Sequence, residues 1–114
     1  MLQEAGFSPL EVIKAATSNG ARQIFDHKGV APPIGTVEVG KLADLVIVPG
    51  NPLQNLKLLY GTGFLKLGAD NKPECVGGVR WTIKDGVVYD APKLLADVAA
   101  MVAAKKAEED AAAD

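Results

Sequence analysis

Apolar residues recur along this chain on two different periods, and the switches between them mark its elements. A helix start stands at Ser8: Pro9 suits the first helical position, and Glu11 lies three residues after the cap, completing a capping box. Phe7 and Val12 are spaced to form a hydrophobic staple, and Val12, Ile13 and Ala16 then share one face. Thr17 reads as a break or a new cap before a second short helix through Ala21, Ile24 and Phe25. Two such short helices cannot cover each other's apolar faces and require a larger partner surface.

The period then shortens. Pro32 and Pro33 forbid a helix interior, and residues 34–39 (IGTVEV) predict a weak strand ending at Gly40. Residues 44–48 (DLVIV) predict a strand that is apolar on both faces after Asp44 and therefore lies inside a sheet or sandwich. Pro49, Gly50, Asn51 and Pro52 stop it. Leu56, Leu58 and Leu59 fit a short strand or a helical turn. The glycines at 61, 63 and 68, with the run Ala69 to Pro73, predict an ordered but non-repetitive loop to residue 78. Val79, Trp81 and Ile83 alternate with Arg80, Thr82 and Lys84, Asp85-Gly86 is a two-residue hairpin turn, and Val87 to Tyr89 return as the partner strand. Asp90 can cap a last helix, in which Leu94, Leu95, Val98, Met101 and Val102 form a stripe. From Lys105 the sequence KKAEEDAAAD has no apolar anchor and is expected to fray. No repeat and no long linker divides the chain, yet no self-contained fold accounts for this element order.

Composition narrows the class. With 114 residues there is room for one small domain and one modest core, and a barrel of about 250 residues is excluded. Twelve basic against fourteen acidic side chains leave a net charge of -2, which provides no general attraction for nucleic acid or anionic lipid. The single cysteine, Cys75, cannot form an internal disulfide. No basic leader with an apolar stretch opens the chain, and the apolar run Leu45 to Val48 is too short to cross a bilayer. A cytoplasmic protein that binds neither nucleic acid nor membrane is the expectation.

Candidate chemistry is sparse. Gly35 to Lys41 has the glycine and lysine spacing of a phosphate loop, but Leu42 stands where a hydroxyl must reach magnesium, and Val37 and Glu38 replace small residues. His27 is the only histidine, whereas a zinc site takes three or four ligands. Cys75 as a nucleophile would need a general base beside it. Asp44, just before an apolar strand, is placed to accept N–H bonds from the Gly40-Lys41 turn or to pair with Lys41. Arg22 can pair with a carboxylate elsewhere, Arg80 and Lys84 read as the wet face of a strand, and Trp81 reads as packing. The residues alone assign no catalytic, cofactor-binding or metal-binding side chain.

Three stretches nevertheless resemble the C-terminal end of metal-dependent amidohydrolases: SPLEVIKAATSNGAR (8–22), IGTVEVGKLADLVIVPGNPL (34–53) and WTIKDGVVYD (81–90). The similarity is to the branch containing imidazolonepropionase-like enzymes and related dipeptidases. It implies an α+β fold without the family's barrel: residues 1–28 as helices from the end of that barrel, 29–90 as part of a composite β-sandwich, and 91–114 as a closing helix with a frayed tail. It also implies zinc or a similar divalent ion in a full-length relative, on histidines and carboxylates that lie upstream of Met1, with none in this chain. The function so implied is that of a fragment of a hydrolase acting on non-peptide C–N bonds or small peptides, inactive alone. The alternative is a non-catalytic interaction subunit docking to a separate barrel-bearing chain. A small independent enzyme using Cys75 or paired acids would need those groups to converge on a pocket. Truncated strand edges and apolar helix faces lead us to expect self-association.

Overall fold

In the computed structural model, which describes residues 2–113, the chain enters helix α1 (Pro9–Lys14) through the expected capping box. The Glu11 carboxylate accepts from the Ser8 N–H at 2.8 Å and from the Ser8 hydroxyl at 2.7 Å, while Ser8 Oγ accepts from the Glu11 N–H at 3.4 Å. At Thr17 the helix widens instead of breaking. A π-helical turn over Ala15–Asn19 leads straight into α2 (Gly20–Phe25), and a 3₁₀ turn over Asp26–Lys28 ends the run. The Thr17 hydroxyl donates back to the Ile13 carbonyl at 2.7 Å, so it is used up inside the helix and is not available as a cap. Gly29, at φ +66°, supplies the left-handed stop.

Residues 34–39 form no strand. Gly35 and Gly40 turn the chain at each end with φ of +96° and +90°, and Lys41 closes the loop between them by an ion pair to Glu38 at 2.8 Å and a hydrogen bond to the Thr36 hydroxyl. This leaves Val37 84% exposed. It also leaves β1 (Leu45–Ile47) without a neighbour on one side. The strand expected inside a sheet lies at the edge of a three-stranded antiparallel one, ordered β1-β4-β5, with β4 over Trp81–Lys84 and β5 over Val87–Asp90. Register places Leu45, Ile83 and Val88 in one row and Ile47, Trp81 and Asp90 in the next row on that face. The β4–β5 turn has positive φ at both Asp85 (+50°) and Gly86 (+81°), as a tight two-residue hairpin requires.

The segment to residue 78, expected as loop, contains a second hairpin: β2 (Phe64–Leu67) against β3 (Pro73–Val76), with Phe64 opposite Val76 and Leu67 opposite Pro73. Two four-residue strands are marginal by themselves. They lean on a 3₁₀ turn, Leu56–Leu59, through Gly77, where a Cβ would lie 2.8 Å from Leu58 Cδ2.

A 23-residue helix, α3 (Ala91–Ala113), follows β5 directly. Asp90 caps it, its carboxylate accepting from the Lys93 N–H at 3.2 Å. It stays helical through the charged tail, where Lys105 and Glu108 pair at 3.2 Å. From Pro92 onward every described residue is exposed, so the closing helix does not lie back on the rest of the chain. Among the described residues only Ala21 and Gly78 are buried. The accessible surface is 8645 Å², against about 5,900 Å² for a compact monomer of this mass. The radius of gyration is 18.8 Å, against about 13 Å for a compact domain of this length.

The tightest contact between helix and loop is at Gly35. A Cβ there would lie 2.5 Å from Ala21 Cβ and 3.1 Å from the Thr17 carbonyl oxygen. Gly40 has a similar φ but nothing within 4 Å of such a Cβ. Gly35→Ala is therefore expected to lower stability by about 1–3 kcal/mol more than Gly40→Ala, the difference being overpacking on top of a shared backbone strain. Urea unfolding of both variants measures it, and equal losses would show that the contact does not matter.

Candidate functional site

Asp44 has the best-defined polar environment on the sheet, although its partners are not the expected ones. Its carboxylate accepts from Lys84 Nζ at 2.6 Å and from the Asp85 N–H at 2.8 Å, across the β1–β4 ladder, rather than from the Gly40-Lys41 turn. Lys41 is held by Glu38 and Thr36, so its ammonium is occupied and the phosphate-loop spacing has no phosphate-binding geometry behind it. The hydrogen bond from Lys84 and then that from the Asp85 N–H hold the Asp44 carboxyl below its usual pKa; Asp44 in turn raises that of Lys84. Both carboxylate oxygens are engaged in fastening the hairpin turn to β1.

The other candidates lie apart from this pair. His27 is exposed on the 3₁₀ turn that ends the helical run. Cys75 is exposed on β3, with its thiol 3.5 Å from the Thr62 carbonyl oxygen. The Arg80 guanidinium lies 4.4 Å from the Trp81 ring centroid and pairs with Asp90 at 2.8 Å, a clamp at the foot of α3. Arg22 lines a shallow polar depression with Asn19, Gln23 and Asp26.

A groove of about 670 Å³ runs between the 3₁₀ turn and the β2–β3 hairpin. Leu58, Phe64 and Val76 are among its apolar lining; its polar groups are the amides of Asn51, Gln54 and Asn55 and the ammonium of Lys66. The Asn51 and Asn55 side chains each accept a backbone N–H two residues on. Neither Cys75 nor any carboxylate lines this groove, so the small-enzyme reading built on those groups finds no site there; the ionisable side chain in its lining is Lys66. A second groove of about 270 Å³ contains one acid, Glu4, with Lys57 and Tyr60.

A divalent-metal site calls for three or four ligands from histidine, cysteine and carboxylate. Among the described residues no three such side chains gather where they could hold an ion. Asp44 is already committed to an ammonium and an N–H. The residues present do not fit a resident catalytic metal, and no step through one follows from them.

A model of the amidohydrolase family matches residues 1–104. The chain belongs to the amidohydrolase family. Searches of curated proteins and of solved structures give no match. The family match runs through both sheets and into α3, stopping before Lys105. Within this amidohydrolase-family chain, the stretches that carry the family resemblance are the joints of the fold. Gly35 in the second stretch lies against Ala21 in the first, and Asp44 in the second fastens Lys84 and Asp85 in the third. Capping residues and turn glycines announced these stretches in the sequence. The Asp44 partners, forty residues away, had no local signal.

The pH dependence follows from the directions of the two shifts. Asp44 titrates lower when folded, so its contribution is present above the ordinary carboxylate pKa and is lost as pH falls through the folded value. Lys84 titrates higher when folded, so its contribution is present below the ordinary lysine pKa and is lost as pH rises through the folded value. Hydrogen-exchange protection of the Asp85 amide is expected to decline on acidification below about pH 4 in the wild type. In Asp44→Asn that protection should be weaker at neutral pH and show no such acid step. An unchanged profile in the variant would show that Asp44 does not hold the turn.

Proposed function

We propose that this chain supplies the C-terminal part of a cytoplasmic amidohydrolase of the imidazolonepropionase-like and dipeptidase-like branch, hydrolysing non-peptide C–N bonds or small peptides. The metal and the groups that handle water and substrate are then carried by a barrel outside these 114 residues. One observation carries the reading: a chain matched to the family over residues 1–104 has no cluster of metal-binding side chains among its described residues. The mostly exposed apolar residues support it, because helix and sheet faces of this kind are normally covered by a larger body. No described helix is long and apolar enough to cross a membrane, so these faces are not explained by a spanning helix.

A second reading, a non-catalytic subunit that docks to a separate barrel-bearing chain, rests on the same uncovered faces. A gene beside this one encoding a barrel with paired histidines on its first strand would favour it.

Elemental analysis of the purified chain tests the shared premise. Zinc, manganese, iron and cobalt are each expected well below one per chain, with no hydrolysis of a panel of dipeptides and N-acyl amino acids after zinc addition. One tightly bound zinc per chain, or metal-dependent turnover by the chain alone, would overturn both readings.

A further inference from the structure

The groove between the Leu56–Leu59 turn and the β2–β3 hairpin joins an apolar surface to polar groups of one kind. Leu58, Phe64 and Val76 supply the apolar part. Leu58 is closely flanked by two glycines of the lining: a Cβ on Gly50 would lie 3.1 Å from Leu58 Cδ1, and one on Gly77 2.8 Å from Cδ2. The acceptors around it are already engaged. The Asn51 and Asn55 side-chain oxygens accept the Leu53 and Lys57 N–H groups, each at 3.0 Å, which fixes which end of each amide is which. The main-chain carbonyls of Asn51, Asn55 and Leu58 accept from the N–H groups of Gln54, Leu58 and Gly78 at 3.1–3.2 Å. Gln54 can present either end of its amide, but the two asparagine NH₂ groups and the Lys66 ammonium are donors only.

Charge has the same bias. Among the described residues Lys66 makes no ion pair. Glu74 stands opposite it in the ladder, but the Glu74 carboxylate lies against Gly68, where a Cβ would be 2.5 Å from Oε1. The Lys57 ammonium, 5.9 Å from the Phe64 ring centroid, adds a second positive charge at that ring.

We propose that this groove binds a small carboxylate with an apolar body, an aryl- or acyl-chain acid. The body lies on Leu58, Phe64 and Val76, and the carboxylate meets Lys66 and the asparagine NH₂ groups. The volume of about 670 Å³ is in the range of small-molecule sites. A neutral ligand of the same shape leaves the lysine charge unmatched, and a cationic one is repelled by it. Close packing of Leu58 between the glycines means that this side chain needs little ordering on binding.

The site uses no group of the proposed reaction, so metal content and turnover test that reading and ligand binding tests this one. Phenylbutyrate is titrated into the full chain and followed by amide NMR. Saturable shifts are expected at the Asn51 and Asn55 NH₂ groups and at Gly77, with a Kd of about 1 mM. Phenylbutanol, its neutral counterpart, should bind about fivefold more weakly. Lys66→Gln, at an exposed position, should weaken phenylbutyrate to the same degree and leave phenylbutanol unchanged. Lys72→Gln, which removes the same charge from the hairpin's turn, should change neither. Absence of saturable shifts in the groove, phenylbutanol binding as tightly as the acid, indifference to Lys66→Gln, or an equal loss in Lys72→Gln would each overturn the proposal.

Discussion

The first helices and the strand that follows are joined where the backbone of Gly35 lies against Ala21. No side chain fits between them: a methyl group on Gly35 would overlap the alanine and crowd the Thr17 carbonyl oxygen. The π-helical turn contributes Thr17 and Ser18 to this contact, and α2 contributes Ala21. From there the loop through Lys41 delivers Asp44 to the start of β1, and Asp44 holds the turn of the β4–β5 hairpin. Asp90, at the end of that hairpin, pairs with Arg80 and starts α3. Each element is positioned by a close approach or a short polar bond, with few large apolar contacts behind it.

This succession explains what could be read from the chain beforehand. Local signals were sufficient where a feature depends on neighbours in sequence: the Ser8-Glu11 box, the Asp85-Gly86 turn and the Asp90 cap all stand where residue type and spacing put them. Long-range consequences were not legible. The apolar run Leu45 to Val48 implied a place inside a sheet, but its potential neighbour at 34–39 is turned away by two glycines and a lysine-held loop. The β2–β3 hairpin was hidden because Gly63 and Gly68 bracket a strand of only four residues, and Pro73 opens the next. Nor did the stripe on α3 reveal whether the helix would lie back on the chain. Periodicity shows that a face is apolar, while its cover depends on bodies the period does not describe.

The site followed the same division. Residue types alone argued that His27, Cys75 and Asp44 assemble no chemistry, and the structure leaves them as an exposed imidazole, an exposed thiol and a hairpin fastener. Family membership and structural role are thereby reconciled. The matched stretches meet at the joints of the fold, and among the described residues no three histidine, cysteine or carboxylate side chains gather where they could hold a metal. The groove beside the second hairpin has amide groups, the Lys66 ammonium and apolar surface, with neither Cys75 nor a carboxylate in its lining.

The central claim is that this chain folds through joints and ladders while leaving its apolar faces open. Small-angle X-ray scattering, extrapolated to zero concentration so that association does not contribute, tests it most directly. The account gives a monomer radius of gyration near 18.8 Å, with the 23-residue helix extending the particle. A value near the roughly 13 Å of a compact domain this long would mean that the faces close on one another and that the chain is a self-sufficient globule, contradicting it.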